Sequence, residues 1–203
     1  MNIETILDNN DRFNQQITFL IEIDKVKSII RKTRNFNNKK FENDAEHGWH
    51  LCMFAIILKE YSNAEIDIVK LLKMVLIHDL VEIDSGDTLV YSINSAEKEK
   101  NEKECAERLF GLLPIDQYKE FKELWEEFEE RVTPESKFAH AIDRLEPMMQ
   151  NFLDEGYTWK KHNINAYQVT SVNSKIENGS ETLWAFAKKI IDESIENNYL
   201  LKE

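Results

Sequence analysis

The chain has 203 residues, 42% of them hydrophobic, with only five Gly and three Pro, which suits one domain with a sizeable core. A formal net charge of −12 excludes a general electrostatic footprint for a nucleic acid polymer, but leaves small phosphorylated ligands open, because their binding depends on local charge. Two cysteines without CxxC spacing argue against a disulfide framework, no apolar run approaches membrane-spanning length, and Met1 is not followed by a basic and then an apolar region, so the expected location is the cytoplasm and no membrane partner is expected.

Residues 1–13 form a lead-in without a clear assignment. From Gln16 to Ile30 the apolar positions Phe19, Leu20, Ile23, Val26, Ile29 and Ile30 recur at three and four, which predicts an amphipathic helix. A basic loop follows, with Arg31, Lys32, Arg34, Lys39 and Lys40 standing out in an acidic protein. It reads either as a solvated connector or as a holder of anions. Asn43-Asp44-Ala45-Glu46 marks a helix start, with Asn43 as cap and Glu46 as its reciprocal partner. Behind it His47, Leu51, Phe54, Ala55 and Leu58 share a face, so His47 heads a core-facing stripe. His50 either lines the same cavity or packs behind it.

After a turn at Ser62–Ala64, the segment Ile66 to Ile83 is apolar almost all round, as expected of a buried helix. At about 100° per residue, Leu71, Val75, His78, Asp79 and Glu82 fall within one arc. A histidine and two carboxylates thus continue an inward stripe. Buried carboxylates cost several kcal/mol unless they are paired or bound to a metal. Asp84-Ser85-Gly86-Asp87-Thr88 then breaks the helix.

Residues 94–113 predict a charged helix with Ala96, Cys105, Ala106, Leu109 and Phe110 inward, closed by Gly111 and Pro114. Ile115 to Glu130 predicts an acidic helix with an aromatic inner stripe. Thr133-Pro134 is a cap and first-turn proline for the next helix, whose stripe is Phe138, Ile142, Leu145, Met149 and Phe152. Asp143 lies beside that stripe, and either projects into the interior with His47 or forms a surface ion pair with His140 or Arg144. Tyr157 to Asn173 has no firm assignment, and His162 reads as a loop residue. A last helix covers about Ser180 to Asn197. The whole predicts an all-α single domain over 1–203, with its core at roughly 16–155 and a C-terminal helical extension at 156–203.

His47, His78-Asp79 and Asp143 stand in the order H…HD…D. With the segments EHGWHL, LIHDLVEIDSGDT and AIDRLEPMMQN, this resembles the HD-domain metal-dependent phosphohydrolases, most closely their 5′-nucleotidase branch acting on deoxyribonucleoside monophosphates. The resemblance spans about residues 25–155. It implies a helical bundle holding a divalent metal on His47, His78, Asp79 and Asp143, with Glu82 as general acid/base or orienter of the attacking water. Asp87, with Thr88 beside it, would position the substrate or that water. Family members hold the phosphate with an arginine shortly before the first motif. The matching position here is Lys32, a departure, with Arg31 adjacent and Arg34 nearby. Two imidazoles and two carboxylates suit Mn, Co, Fe, Zn or Ni better than Mg or Ca alone. The same ligands serve hydrolases of nucleoside triphosphates, cyclic nucleotides and guanosine polyphosphates, and a non-catalytic metal or nucleotide-binding module is the reading from another class. A nucleotide substrate and a homodimer are the partners the resemblance implies.

Overall fold

The computed structural model describes residues 10–37, 39–91 and 95–202, the side chains of 95–99 excepted. The expected lead-in therefore lies mostly outside the described residues, as does the inward position of Ala96. Helix α1 (Asp11–Ile23) starts at a cap formed by Asn10, whose side chain accepts from the Phe13 N–H. It stops short of the predicted end at Ile30: a 3-10 turn at Asp24–Ser28 follows, and Ile29 is already extended. Here β-branched Ile29 and Ile30 lead into a strand rather than extending the helix.

The basic stretch is the first correction to the sequence reading. It is an antiparallel ribbon, β1 (Ile30–Arg34) with β2 (Phe41–Asn43), set on an otherwise helical chain. A strand alternates its side chains. Arg31 and Thr33 therefore turn inward while Ile30 and Lys32 stay exposed, and Glu42 on β2 is buried. That alternation selects which basic residue enters the interior.

Helix α2 (Asp44–Leu58) begins with the expected capping box between Asn43 and Glu46. Helix α3 (Ile68–Ile77), capped by Asp67, packs along α2 and is shorter than predicted. At His78 the chain tightens into a 3-10 turn, His78–Val81, before the single turn α4 (Glu82–Ser85) and the break at Gly86. Helices α5 (Ser95–Phe110) and α6 (Ile115–Glu130) pack with α1 over a core of Phe19, Leu80, Leu109, Phe110 and Trp125.

The central element is α7 (Pro134–Leu153), with Phe138, Ala141 and Ile142 wholly buried. It contacts β1, α2, α3 and α6 on the way to α10 (Glu181–Glu196). Each such large apolar side chain contributes about 1.5–3 kcal/mol through burial. Between them, the segment left unassigned folds as α8 (Tyr157–Lys161) and α9 (Ala166–Asn173), the latter with its own capping box, Asn165 with Gln168. Trp159, Val169, Ile176 and Trp184 join Leu51, Leu71 and Ile142 in one core, so the segment from 156 onward completes the bundle. Gly156 permits this closure. Its φ is +73°, and a Cβ there would lie 2.1 Å from the Tyr199 carbonyl oxygen.

Candidate functional site

Helices α2 and α7 and the 3-10 turn after α3 bring His47, His78, Asp79 and Asp143 together. His47 is fully buried, and its Nε2 lies 3.1 Å from Asp143 Oδ1 and 3.9 Å from Asp79 Oδ2. His78 Nε2 lies 3.1 Å from Asp79 Oδ1 and 3.7 Å from Asp143 Oδ1, and the two ring centroids are 5.9 Å apart. One ligand atom from each of His47, His78 and Asp79 lies within 4.8 Å of the other two. Asp143 faces these rings rather than a surface partner. His140 instead donates from Nε2 to the Phe128 carbonyl, and Arg144 donates to the Val172 carbonyl.

The chain fixes the rings from behind. His78 Nδ1 is 3.0 Å from the Val75 carbonyl, so this nitrogen carries the hydrogen and Nε2 is left to face the carboxylates. His47 Nδ1 lies 3.3 Å from Glu42 Oε2 and 3.4 Å from Glu146 Oε2, both carboxylates buried. Glu146 also meets His50 Nδ1 at 3.1 Å and accepts from Gln150 Nε2. His50 therefore supports the site from behind.

Arg31 reaches in from β1. Its Nη1 is 2.8 Å from Asp79 Oδ2 and 3.4 Å from Asp44 Oδ1, and its Nε is 3.5 Å from Glu42. Lys32 stays at the rim, 3.6 Å from Asp87, with exposed Thr88 next along the wall. Arg34 leaves the site: it pairs with Asp154 and lies 3.4 Å over the Tyr157 ring. A cleft of about 690 Å³ opens from this cluster, bordered by Arg31, Glu82, Asp87, Asp143 and aromatic residues of α6.

The electrostatics follow from crowded acids. Burial, then the charges of Asp79, Asp44 and Asp87, push Glu82 up to about 10, and its Oε2 is buried without a partner. Burial and Asp79 likewise push Asp44 up to about 7. Burial alone would raise Asp79, but His78, Arg31 and His47 outweigh it and hold the carboxylate well below its usual range. Burial alone would lower His78, yet Asp79 and Asp143 raise it to about 10. Such a pocket demands positive charge. His78 Nε2 is buried without a hydrogen bond among the acids, and two imidazoles with two carboxylates are an apt donor set for a divalent cation.

Sequence reasoning passed over Asp44, Glu42 and Glu146. In the sequence Asp44 reads as part of a helix start, although it sits one turn before His47. Glu146 follows Asp143 by three residues, hence on the same face of α7. Glu42 had no signal without the ribbon.

Known proteins resemble this arrangement. The HD domain family matches residues 23–184. The 5′-deoxynucleotidase HDDC2 of Danio rerio is 30% identical over 140 residues, 68% of this chain and 68% of that protein. The Bos taurus protein of the same name is 30% identical over 66% of this chain and 65% of its own length. A crystal structure described as a predicted metal-dependent phosphohydrolase from Magnetospirillum magnetotacticum superposes with a TM-score of 0.89 at 43% identity, covering 95% of this chain and all of that one.

Proposed function

We propose, from the premise that this chain belongs to the HD domain family and is a metal-dependent phosphohydrolase, that it releases phosphate from nucleoside 5′-monophosphates, deoxyribonucleotides foremost. The relatives named 5′-deoxynucleotidase support the substrate class. The observation that carries the reading is Arg31, whose guanidinium stands 2.8 Å from Asp79 at the head of the cleft, where a phosphoryl group beside the ligands would meet it.

In this reading His47, His78, Asp79 and Asp143 hold the metal. When bound, the divalent ion lowers the pKa of a water and polarises a phosphoryl oxygen. Arg31 offsets charge on the phosphoryl group. Glu82, buried beside Asp79, Asp44 and Asp87 and raised by them in the metal-free site, would give a proton to the leaving alkoxide and take one from the attacking water. Asp87 holds Lys32 at the rim, and with Thr88 positions the substrate end that enters last. A cytoplasmic setting agrees with the two free cysteines, and no helix among the described residues is long and apolar enough to cross a membrane. A homodimer is supported by Trp49, Met53 and Ile56 of α2 with Val69 and Leu76 of α3, exposed apolar residues on two helices that pack together.

The test is a phosphate-release panel on metal-stripped and metal-restored protein. Mn or Co should restore release of phosphate and nucleoside from deoxyribonucleoside monophosphates. Pyrophosphate or tripolyphosphate as product, or no turnover of any monophosphate, overturns the assignment.

A further inference from the structure

Beside the ligand cluster, Arg144 and His140 are among the polar side chains of the cleft that the chemistry above does not use. Arg144 follows Asp143 on α7 and borders the cleft. One Nη1 hydrogen goes to the Val172 carbonyl at 3.2 Å, and the Nε–H is buried without a partner. Among the described residues it forms no ion pair, since Asp143 is turned to the two histidines. A guanidinium held this way leaves hydrogen-bonding capacity unspent, which is costly in a site shielded from water.

His140 stands one turn earlier on the same helix and borders the same cleft. Its Nε2 lies 2.8 Å from the Phe128 carbonyl, which only accepts, so the ring hydrogen is there. Its Nδ1 is therefore a bare acceptor, buried without a partner. The ring stacks on Phe128 with centroids 3.9 Å apart, which prevents it from turning that nitrogen elsewhere.

An unmatched donor and an unmatched acceptor thus sit one turn apart, about 5–6 Å between Cβ atoms. A phosphate dianion offers acceptors alone and would answer Arg144 but not His140. One hydroxyl is too small to span both. A heterocycle carrying a carbonyl or ring nitrogen next to an N–H answers both. We infer that Arg144 and His140 form the nucleobase end of the cleft, Arg144 donating to a ring acceptor and His140 accepting from an imino or amino hydrogen. This rests on the nucleotidase reading and names the groups that would select the base.

Three phosphomonoesters separate the possibilities: dTMP, 2-deoxyribose 5-phosphate, which lacks the base, and p-nitrophenyl phosphate, which lacks base and sugar. With the metal-loaded full-length protein, Arg144→Met should raise KM for dTMP about 10- to 100-fold, as expected for losing a hydrogen bond from a charged group. It should leave kcat/KM for the other two within about threefold. His140→Phe keeps the stack on Phe128 and should shift KM in the same direction by a smaller factor. Arg144→Lys keeps the charge and should fall between, which also serves if the methionine variant fails to fold. Thymidine binding followed by calorimetry should weaken in parallel. Equal losses on all three substrates would make Arg144 a phosphate or sugar contact and overturn the inference, as would an unchanged KM for dTMP. A wild type that turns over p-nitrophenyl phosphate but no nucleotide overturns the nucleotidase reading itself, and this inference with it.

Discussion

Glu82→Gln should make the metal-stripped protein more stable while destroying its activity. Glu82 is 6% exposed and faces Asp79, Asp44 and Asp87, with Arg31 the opposing charge. Its carboxyl keeps its proton up to about 10 in the fold, against an ordinary value of 4.5. As pH rises above 4.5 the unfolded chain loses this proton first, so Glu82 costs the fold about 1.4 kcal/mol per pH unit until the folded value is reached. At pH 8 the cost approaches roughly 5 kcal/mol, and at pH 5 it is under about 1 kcal/mol. Glutamine has the same shape and no proton to lose. Urea unfolding in the presence of chelator should therefore show the variant more stable than wild type by about 3–5 kcal/mol at pH 8 and nearly equal at pH 5. With Mn restored, kcat should fall by about 10²- to 10⁴-fold. A variant no more stable than wild type at pH 8 would refute the crowded-acid account of the site.

The remaining expectations concern the ligands and the surface. Asp79→Ala should lose bound metal and activity together while circular dichroism stays helical; full metal content in the variant would remove Asp79 from the ligand set. Glu146→Gln should weaken cobalt binding by about 10- to 100-fold, read from the visible spectrum, because it loosens the hold on His47 Nδ1. Cobalt affinity should climb from pH 6 to pH 8 by about tenfold per pH unit for each proton displaced, since the acids raise His78 to about 10 and the ion competes with that proton; a flat profile would argue against displacement. On its own, the raised His78 value contributes stability that is complete below pH 6.5 and is lost as pH climbs through about 10. If the exposed face of α2 and α3 carries the proposed homodimer, Ile56→Asp should shift sedimentation from dimer to monomer without loss of helicity, and a monomeric wild type or an unchanged profile would refute that interface.

Two of the candidate ligands stand out in the sequence because each heads or ends a periodic apolar stripe, His47 behind Asn43 and His78 at the close of α3, whereas Asp143 beside the stripe of α7 enters only through the H…HD…D order. The straight helix assumed through Ile83 was not needed for this. The 3-10 turn at His78–Val81 keeps Asp79 and Glu82 facing the same interior by a different winding. The basic stretch was opaque for a physical reason. Five of its residues are charged, so period-two burial does not register as apolar alternation, and only the pairing of β1 with β2 reveals Arg31 as the inward cation. The α9 start went unread although Asn165 and Gln168 have capping-box spacing, because no long apolar stripe follows them.

The two imidazoles differ in how they are tethered. The hydrogen on His78 is received by main-chain oxygen of Val75, an atom that every residue at that position supplies. No ordinary point substitution there deletes that anchor. His47 Nδ1 instead faces the carboxylates of Glu42 and Glu146 at 3.3 and 3.4 Å, side chains that a single codon change can shorten or neutralise. Divergence in ion preference among related chains should therefore accumulate around His47, with His78 as the invariant pivot.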